Sequence, residues 1–514
     1  MRSTFMGLET ARRGMVTQQS ALYTTGHNIA NANTPGFSRQ RVNFNQTSPY
    51  PSVGMNNPKI PGQIGTGVEA GSVQRVREAF LDAQYRVENN KVGYYGTLSE
   101  SLTKMEEIMN EPTDSGLHAT LEKFWNSLQT LASHTENAGA RDVVVSSGQM
   151  VADTLNYYYN SLTRIKEDIG AQIDVKVNEI NNLISNIHNI NQQIAAVEPN
   201  GYIPNDLYDQ RDLLVDNLSS IVNVKVTSVI PIEYGNPNAI AEGLYNIELV
   251  QNDARSYSPP INLVSVSKSS GIIGVNTVAV NSDNGFITEM KFTSGQSISD
   301  LRFSGQLEGL ITSYGYKTAD GDKGYFPEMI ENLNKMATAF ANEFNRIHSE
   351  GYSLGGSSPS NLDFFTFTEE DAAKTIAVSQ TILDNPDLLA VGLGNGASGD
   401  NGNAHILADL KGKSFIKYES EIPEGLTGSV DTFYSGLIGS LGVNSQSAEK
   451  NSKNSKVLAD SVEQNRQSVS AVSLDEEMTN MIKFQHAYNA SARQITMIDE
   501  MLDKIINGMG VVGR

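Results

Sequence analysis

Hydrophobic residues recur every seven positions at both ends of the chain. The repeating residues are Leu8, Met15, Leu22 and Ile29 near the N-terminus and Leu474, Met481, Tyr488, Ile495 and Leu502 near the C-terminus. A sustained seven-residue repeat of apolar side chains is typical of helices that pack in coiled coils. The pattern predicts a helix at each end, and we expect the two sets of residues to pack against each other along a seam.

The first of these helices is predicted to stop at the sequence Thr34-Pro35-Gly36. Proline cannot donate a backbone hydrogen bond, and it disfavours the helical conformation in the residue before it. The residues that follow, 37–74, contain four prolines and a glycine-rich turn and are predicted to be extended.

Helical periodicity continues through the first half of the chain. A helix is predicted over residues 75–110, and its predicted apolar side consists of Phe80, Val87, Tyr94, Leu98, Leu102, Met105 and Ile108. A shorter helix over 116–134 carries the single tryptophan, Trp125, which is expected in a core. Residues 140–197 keep apolar residues three or four positions apart throughout, which predicts a rod-like helix roughly 80 Å long.

Short β-rich runs separated by Asn, Gly, Ser and Pro begin near Ile221 and are followed by helical patterns. The predicted fold class is α+β multidomain, with terminal coiled-coil helices, a long-helix α domain and an inserted β-rich domain. The predicted segments are an N-terminal helix at 1–40, a long-helix domain at 41–222, the β-rich insertion at 223–322, a segment at 323–428 with a helix and mixed, turn-rich structure, another helix of the α domain at 429–467 and a C-terminal helix at 468–514.

Charge adds a second reason to pair the two ends. The whole chain has a net charge of −20, which argues against a nucleic-acid partner. Residues 1–44 hold five Arg and one Glu, whereas residues 460–514 hold eight acidic and five basic residues. Opposite charge favours contact between these segments. No conventional secretory signal or membrane span is predicted, so we expect no membrane partner.

Candidate chemistry is sparse. The chain has no cysteine, and its seven histidines show no zinc-binding spacing. A glycine-rich run at residues 391–405 lacks the Lys-Ser/Thr of a phosphate-binding loop, and no serine lies in a nucleophile elbow. We therefore predict no catalytic residue, no cofactor and no metal site.

Both ends also resemble a known family. The segment NIANANTPGFSRQRVNF at 28–44 and the tail at 473–507 are similar to bacterial flagellar axial proteins, which comprise the rod, hook and hook-associated subunits. The residues that carry the N-terminal motif and its turn are Asn28, Asn31, Thr34, Pro35 and Gly36. Two internal stretches, at 116–144 and 205–226, resemble the hook-associated subunits that join hook to filament.

The resemblance implies a structural subunit rather than an enzyme. Its terminal helices would form the inner tube of a homo-oligomeric ring at the hook–filament junction, outside the cell. The implied partners are the hook protein, a second junction protein, a cytoplasmic chaperone and the flagellar type III export apparatus. We also expect the terminal helices to be poorly ordered in the free monomer, because an isolated helix pair buries too little surface to offset its ordering entropy.

Two alternatives stay open from the sequence. The first is a hook or distal-rod subunit, although the helix-rich segment 75–222 disfavours a predominantly β hook subunit. The second belongs to another class, a secreted adhesin or enzyme that uses the β-rich insertion as its working part.

Overall fold

The computed structural model of the chain describes residues 4–51, 62–109, 111, 113, 116–234, 240–319 and 321–508. The chain divides into two compact units. The first unit comprises Met1–Asn89, Ile180–Thr277 and Lys456–Arg514, and the second comprises Asn90–Glu179 and Val278–Ser455. Each unit therefore combines segments that lie far apart in the sequence.

Helices and short strands both occur in the described residues, which confirms the α+β class. The α-helices are α1 (Thr4–Ala30), α2 (Ala79–Met109), α3 (Leu117–Ser133), α4 (Ala138–Val197), α5 (Asn205–Ile221), α6 (Gly305–Tyr314), α7 (Tyr325–Glu350), α8 (Ala372–Thr375), α9 (Gln380–Asp384), α10 (Gly402–Asp409), α11 (Val430–Ser470) and α12 (Leu474–Asp503). The strands are β1 (Gln40–Gln46), β2 (Val68–Arg75), β3 (Val224–Val229), β4 (Leu244–Val250), β5 (Ser256–Val266), β6 (Ile273–Val275), β7 (Val278–Asp283), β8 (Phe286–Phe292), β9 (Ser297–Ile298), β10 (Tyr316–Thr318), β11 (Gly321–Lys323), β12 (Phe365–Thr366) and β13 (Ala377–Val378).

The long helix predicted over 140–197 is confirmed as α4, which contains 60 residues. At 1.5 Å per residue its length is roughly 90 Å. Apolar residues at three- and four-residue spacing, such as Leu162, Ile173 and Ile184, are almost completely buried along it. The helix is stable because this continuous apolar stripe is covered over its whole length.

The first unit contains the two terminal helices, which pack against each other, and two antiparallel β structures. Strands β1 and β2 form a ribbon with a bulge between Asn43 and Phe44. Strands β3 to β6 form an antiparallel sheet in sequence order. Ile194, Tyr208 and Leu244 form a buried cluster there, which joins the end of α4 to α5 and β4.

The start of α2 differs from the prediction. Helix α2 begins at Ala79, and the predicted apolar residues Phe80 and Val87 are exposed. The side chains that point inward are Asp82 and Arg86, both of which are buried. The prediction was wrong for this turn because it assigned the buried face by hydrophobicity, whereas charged residues occupy it.

The second unit has an aromatic core between α3, α7 and the loop before β12. The rings of Phe344 and Phe364 lie 5.0 Å apart, and those of Phe124 and Trp125 lie 5.4 Å apart. Trp125 is buried in this core, which confirms its predicted role. The sheet of this unit has the order β11-β10-β8-β7, and β9 pairs with β8.

The β-rich segment is distributed between the two units. Strands β3 to β6 belong to the first unit and β7 to β11 to the second. Helix α6 lies inside this segment and was not predicted, although Leu307, Leu310 and Ile311 have helical spacing and are buried. The segment boundaries drawn from the sequence stay a proposal.

Candidate assembly interface

The turn after α1 is built as its sequence indicates. Asn31 Nδ2 donates to the carbonyl of His27 (3.1 Å), and Thr34 Oγ1 donates to Asn31 Oδ1 (3.2 Å). Gly36 adopts a φ of +79°, which a residue with a Cβ rarely adopts, and a Cβ there would lie 3.1 Å from Leu213 of α5. The motif residues therefore close the helix and direct the chain across α5.

Helices α1 and α12 run antiparallel and approach closely at two glycines. A Cβ on Gly7 would lie 3.3 Å from Ile498 Cδ1, and a Cβ on Gly14 would lie 3.1 Å from Ser491 Oγ. The two glycines are one heptad apart, and so are their partners. The absence of side chains at these two positions lets the helices approach closely.

The predicted seam residues lie beside this line of closest approach. Leu8, Met15, Leu22 and Ile29 each directly follow a residue of the track Gly7, Gly14, Ala21 and Asn28, and all four are half-buried. In α12 the residues Met481, Tyr488, Ile495 and Leu502 are half-buried and Leu474 is exposed. The sequence analysis did not predict the contacts at Gly7 and Gly14, because it considered only large apolar residues. The spacing of seven residues between these two glycines could have indicated them.

The β-ribbon packs against the same helix pair. Thr17 Oγ1 of α1 donates to the carbonyl of Val68 in β2 (3.1 Å). Phe44 of β1 meets Phe484 of α12 edge to face, with ring centroids 5.9 Å apart. The ribbon therefore holds both terminal helices.

The predicted attraction between the oppositely charged ends is concentrated at one place among the described residues. Arg39 Nε donates to Glu477 Oε1 (2.8 Å), and Arg39 Nη1 donates to Glu476 Oε2 (2.6 Å). Glu477 is 2% exposed. Other charges of α1, those of Glu9, Arg12 and Arg13, pair within the helix itself.

A cluster of buried charges lies beneath the turn. Arg75 Nη1 donates to Asp209 (2.6 Å) and Asp212 (2.9 Å), and the backbone N–H of Ser38 donates to Asp209 (3.0 Å). Burial alone would raise the pKa of Asp212, but the neighbouring arginines Arg77, Arg75 and Arg86 outweigh it and hold this pKa well below its ordinary value of 3.8. The sequence did not reveal this cluster, because its members come from separate elements.

Several large apolar side chains on the helix pair are uncovered. On α1 these are Phe5, Val16 and Tyr23, and Tyr23 is 79% exposed. On α12 they are Leu474, Met478, Ile482, Met497 and Met501. Phe5, Val16 and Tyr23 fall on one side of α1 at helical spacing, so they form a stripe that the chain itself leaves in contact with solvent.

Two arrangements among the described residues resemble ligand-binding sites, and both are engaged in contacts within the chain. In the glycine-rich run, the backbone N–H groups of Leu393, Gly394 and Asn395 donate to the carboxylate of Asp400, so its amides are already satisfied. Among the described residues, one group has metal-ligand spacing, namely His118, Glu122 and Asp431. Its carboxylates are paired, since Asp431 lies 2.7 Å from His118 and Glu122 lies 2.5 Å from the Nζ of Lys411.

Comparison with known proteins bears on this interface directly. Residues 8–37 match the family described as flagella basal body rod protein, and residues 463–508 match the C-terminal domain of the flagellar basal body rod FlgEFG proteins. Residues 102–365 match the FlgK helical domain of flagellar hook-associated proteins. Among the described residues, no helix has the length and apolar composition needed to cross a membrane.

The matches at the two ends define the class of protein to which the chain belongs. Both ends belong to the flagellar rod and hook class of structural proteins, whose motifs lie on α1 and α12. A relative from Bacillus subtilis, flagellar hook-associated protein 1, is 46% identical over 529 residues and covers 100% of both chains. The chain therefore belongs to the family of flagellar hook-associated protein 1.

More distant relatives support the same family membership. Flagellar hook-associated protein 1 of Salmonella typhimurium is 25% identical over 97% of this chain and 98% of its own length. The flagellar hook junction protein FlgK of Burkholderia pseudomallei shares the fold with a TM-score of 0.57 at 15% identity, over 76% of this chain and 100% of that one. A FlgG rod protein and a FlgE hook protein match only 14% and 15% of this chain. Of the two predicted members of the family, the comparisons therefore favour the hook-associated subunit over a hook or distal-rod subunit.

Proposed function

We propose that this protein, a structural subunit of the flagellar hook–filament junction outside the cell, is built into the flagellum through the pair of α1 and α12. Its family membership establishes the junction role. The rod-type sequence at both ends relates it to the hook components of the same structure. The proposed role is mechanical, with no catalytic step.

One observation carries the proposal. The paired helices leave an apolar stripe on α1 and further apolar residues on α12 facing solvent, of which Tyr23 and Met478 are examples. Burying apolar surface stabilises an assembly by about 25 cal/mol for each Å² removed from water. Neighbouring subunits would supply that burial, so the helix pair gains its full stability on assembly.

The remaining partners are those that the family resemblance implies, and they are part of the proposal. Copies of the chain would form a homo-oligomeric ring, with the predicted seam residues of α1 and α12 inside it. The hook protein would lie on one side and a second junction protein on the other. Before export through the flagellar type III apparatus, a cytoplasmic chaperone would cover the exposed apolar residues of α12.

Replacing one exposed residue of the stripe tests the proposal. Tyr23→Ser removes a ring that makes little contact within the chain, so the purified monomer is expected to keep its stability while cells lose filaments and release filament protein into the medium. Filament number by electron microscopy and released protein by immunoblot measure the result. Ile416→Ser in the second unit, where the residue is 80% exposed, is the matched control.

Deleting the last 40 residues removes nearly all of α12 and should abolish filaments more completely than Tyr23→Ser does. Normal filaments on cells that carry this deletion, or on cells that carry Tyr23→Ser together with loss of the α12 apolar residues, would contradict the proposal.

A further inference from the structure

The small side chains along the line of closest approach do not by themselves determine the register of α1 and α12. The closest contacts pair Gly7 with Ile498 and Gly14 with Ser491, and apolar residues of α12 remain exposed. Packing of small residues at heptad spacing can recur after a slip of seven residues. Some other feature must therefore select one register.

Glu477 provides such a feature, because it lies on the same line of contacts two heptads from Ser491. Its Oε2 accepts a hydrogen bond from Asn28 Nδ2 (3.1 Å), and Asn28 lies two heptads from Gly14 in α1. Its Oε1 accepts from Arg39 Nε (2.8 Å). Both oxygens of a buried carboxylate are thus bonded to the N-terminal segment.

The partners of Glu477 are themselves fixed. Asn28 Nδ2 donates to the carbonyl of Gln40 (2.8 Å), and Asn28 Oδ1 accepts from the N–H of Gln40 (3.0 Å). The N–H of Arg39 donates to the carbonyl of Ser470 at the end of α11 (2.8 Å). Glu477 therefore fits into a preformed clamp made by the end of α1 and the start of β1.

We propose that Asn28 and Arg39 clamp Glu477 to set the heptad register of the terminal helix pair. A slip of one heptad would carry Glu477 from Asn28 to Ala21, where a buried carboxylate would lack a partner. Leaving a buried charge unpaired is costly, and a single buried polar contact is a known way to fix helix register. Glu477 is thus a positioning residue for assembly, and this inference rests on the proposed function.

Cysteine cross-linking can read the register, since the chain contains no cysteine. The Cβ atoms of Gly14→Cys and Ser491→Cys would lie about 4.0 Å apart, within the range that a disulfide requires. The pair Gly7→Cys and Ser491→Cys reports a slip of one heptad. The ratio of the two disulfide yields measures register, and it is determined by peptide mapping after mild oxidation of the full-length protein, both purified and in isolated flagella.

Glu477→Ala is expected to lower the ratio of native to slipped cross-link by about tenfold or more, because two bonds to a charged group are lost. Asn28→Ala should act in the same direction and serves if Glu477→Ala fails to accumulate. Glu500→Gln, which removes an exposed carboxylate of α12 outside the clamp, should leave the ratio unchanged. Equal ratios in Glu477→Ala and Glu500→Gln, or a proportional loss of both cross-links, would overturn the inference.

The outcome is separable from the proposed function. An unchanged ratio together with filament loss in Tyr23→Ser would reject the clamp and leave the assembly role intact. A changed ratio with normal filaments in Tyr23→Ser would support the clamp and contradict the assembly role of the stripe.

Discussion

The aromatic core of the second unit and the terminal helix pair of the first unit are stabilised in different ways. In the core, Phe124, Trp125, Phe340, Phe344 and Phe364 are almost completely buried and contact one another. In the helix pair, small residues form the contact, and large ones such as Tyr23 and Met478 face solvent.

The difference indicates which part of the molecule is complete within one chain. A core whose rings are mutually covered needs no partner, whereas an uncovered apolar stripe gains free energy only when another surface covers it. Substitutions in the two regions should therefore have opposite consequences, with large effects on monomer stability in the core and large effects on assembly in the helix pair.

The largest stability effect is expected for Phe344→Ala in the core. Removing this buried ring leaves a cavity and should lower the free energy of unfolding by about 3–5 kcal/mol. Urea denaturation of the purified monomer measures the change. Tyr157→Ala on α4 removes a ring that is 61% exposed and should change the same free energy by less than about 0.5 kcal/mol. Equal effects of the two substitutions would show that the aromatic core does not stabilise the monomer more than an exposed ring does.

The second largest effect is expected on the pH dependence of stability, through a histidine in the same unit. His348 is buried, its Nδ1 lies 2.7 Å from the carbonyl of Leu362, and its Nε2 accepts from the N–H of Ala390 (3.0 Å). Burial lowers the pKa of His348 from 6.5 to about 4, against the opposing effects of the Leu362 carbonyl and Asp363. The neutral ring fits this site, whereas a second ring proton would face the N–H of Ala390.

The free energy of unfolding should fall at acidic pH, because the unfolded state binds a proton on His348 before the folded state does. Between pH 6.5 and 4 the unfolded state binds the proton more readily, so the stabilising contribution is complete above pH 6.5 and is lost as the pH falls to 4. The expected loss is about 3 kcal/mol. Urea midpoints between pH 7 and 4 test it, and His348→Gln should flatten the curve in that range. An unchanged slope in that variant would contradict the assignment.

A smaller effect is expected at the turn that follows α1. Gly36→Ala should destabilise the first unit by about 1–2 kcal/mol from the positive φ alone, and more from the contact with Leu213. Gly201→Ala is the matched control, because Gly201 has a φ of +80° and no neighbour within 4 Å of a Cβ. Urea denaturation should rank Gly36→Ala as the more damaging substitution, and the reverse order would show that the Leu213 contact is unimportant.

The smallest stability effect is expected on the exposed face of α12. Ile482→Gln replaces a residue that is 54% exposed, so the free energy of unfolding of the monomer should change by less than about 0.5 kcal/mol. The same variant should reduce filament number on cells, because the lost apolar area is needed only after assembly. A variant that destabilised the monomer while leaving filaments normal would reverse the comparison.

Sequence reasoning succeeded where apolar spacing alone determines the structure. The stripe of α4 and the helices at both ends follow from the three- and four-residue periodicity, because each of these helices has a face that must be covered. The end of α1 at Ala30, a few residues before Pro35 and Gly36, follows from the chemistry of the backbone.

The same reasoning failed where polar or small residues determine the packing. Asp82 and Arg86 occupy the inward face of α2, so hydrophobicity assigned Phe80 to the wrong side. The close approach of Gly14 to Ser491 and the bond between Asn28 and Glu477 join residues about 450 to 480 positions apart, and no local pattern indicates which partner a glycine or an asparagine contacts.

Accessibility of Val16 before and after assembly tests the central claim most directly. Val16→Cys introduces a single thiol of similar size at a site of the α1 stripe that is 47% exposed in the single chain. If neighbouring subunits cover this stripe, a maleimide should label the free protein rapidly and label the junction of intact flagella at least about tenfold more slowly, while Ile416→Cys reacts similarly in both. Equal labelling of Val16→Cys in free protein and in assembled junctions that still hold filaments would contradict the account.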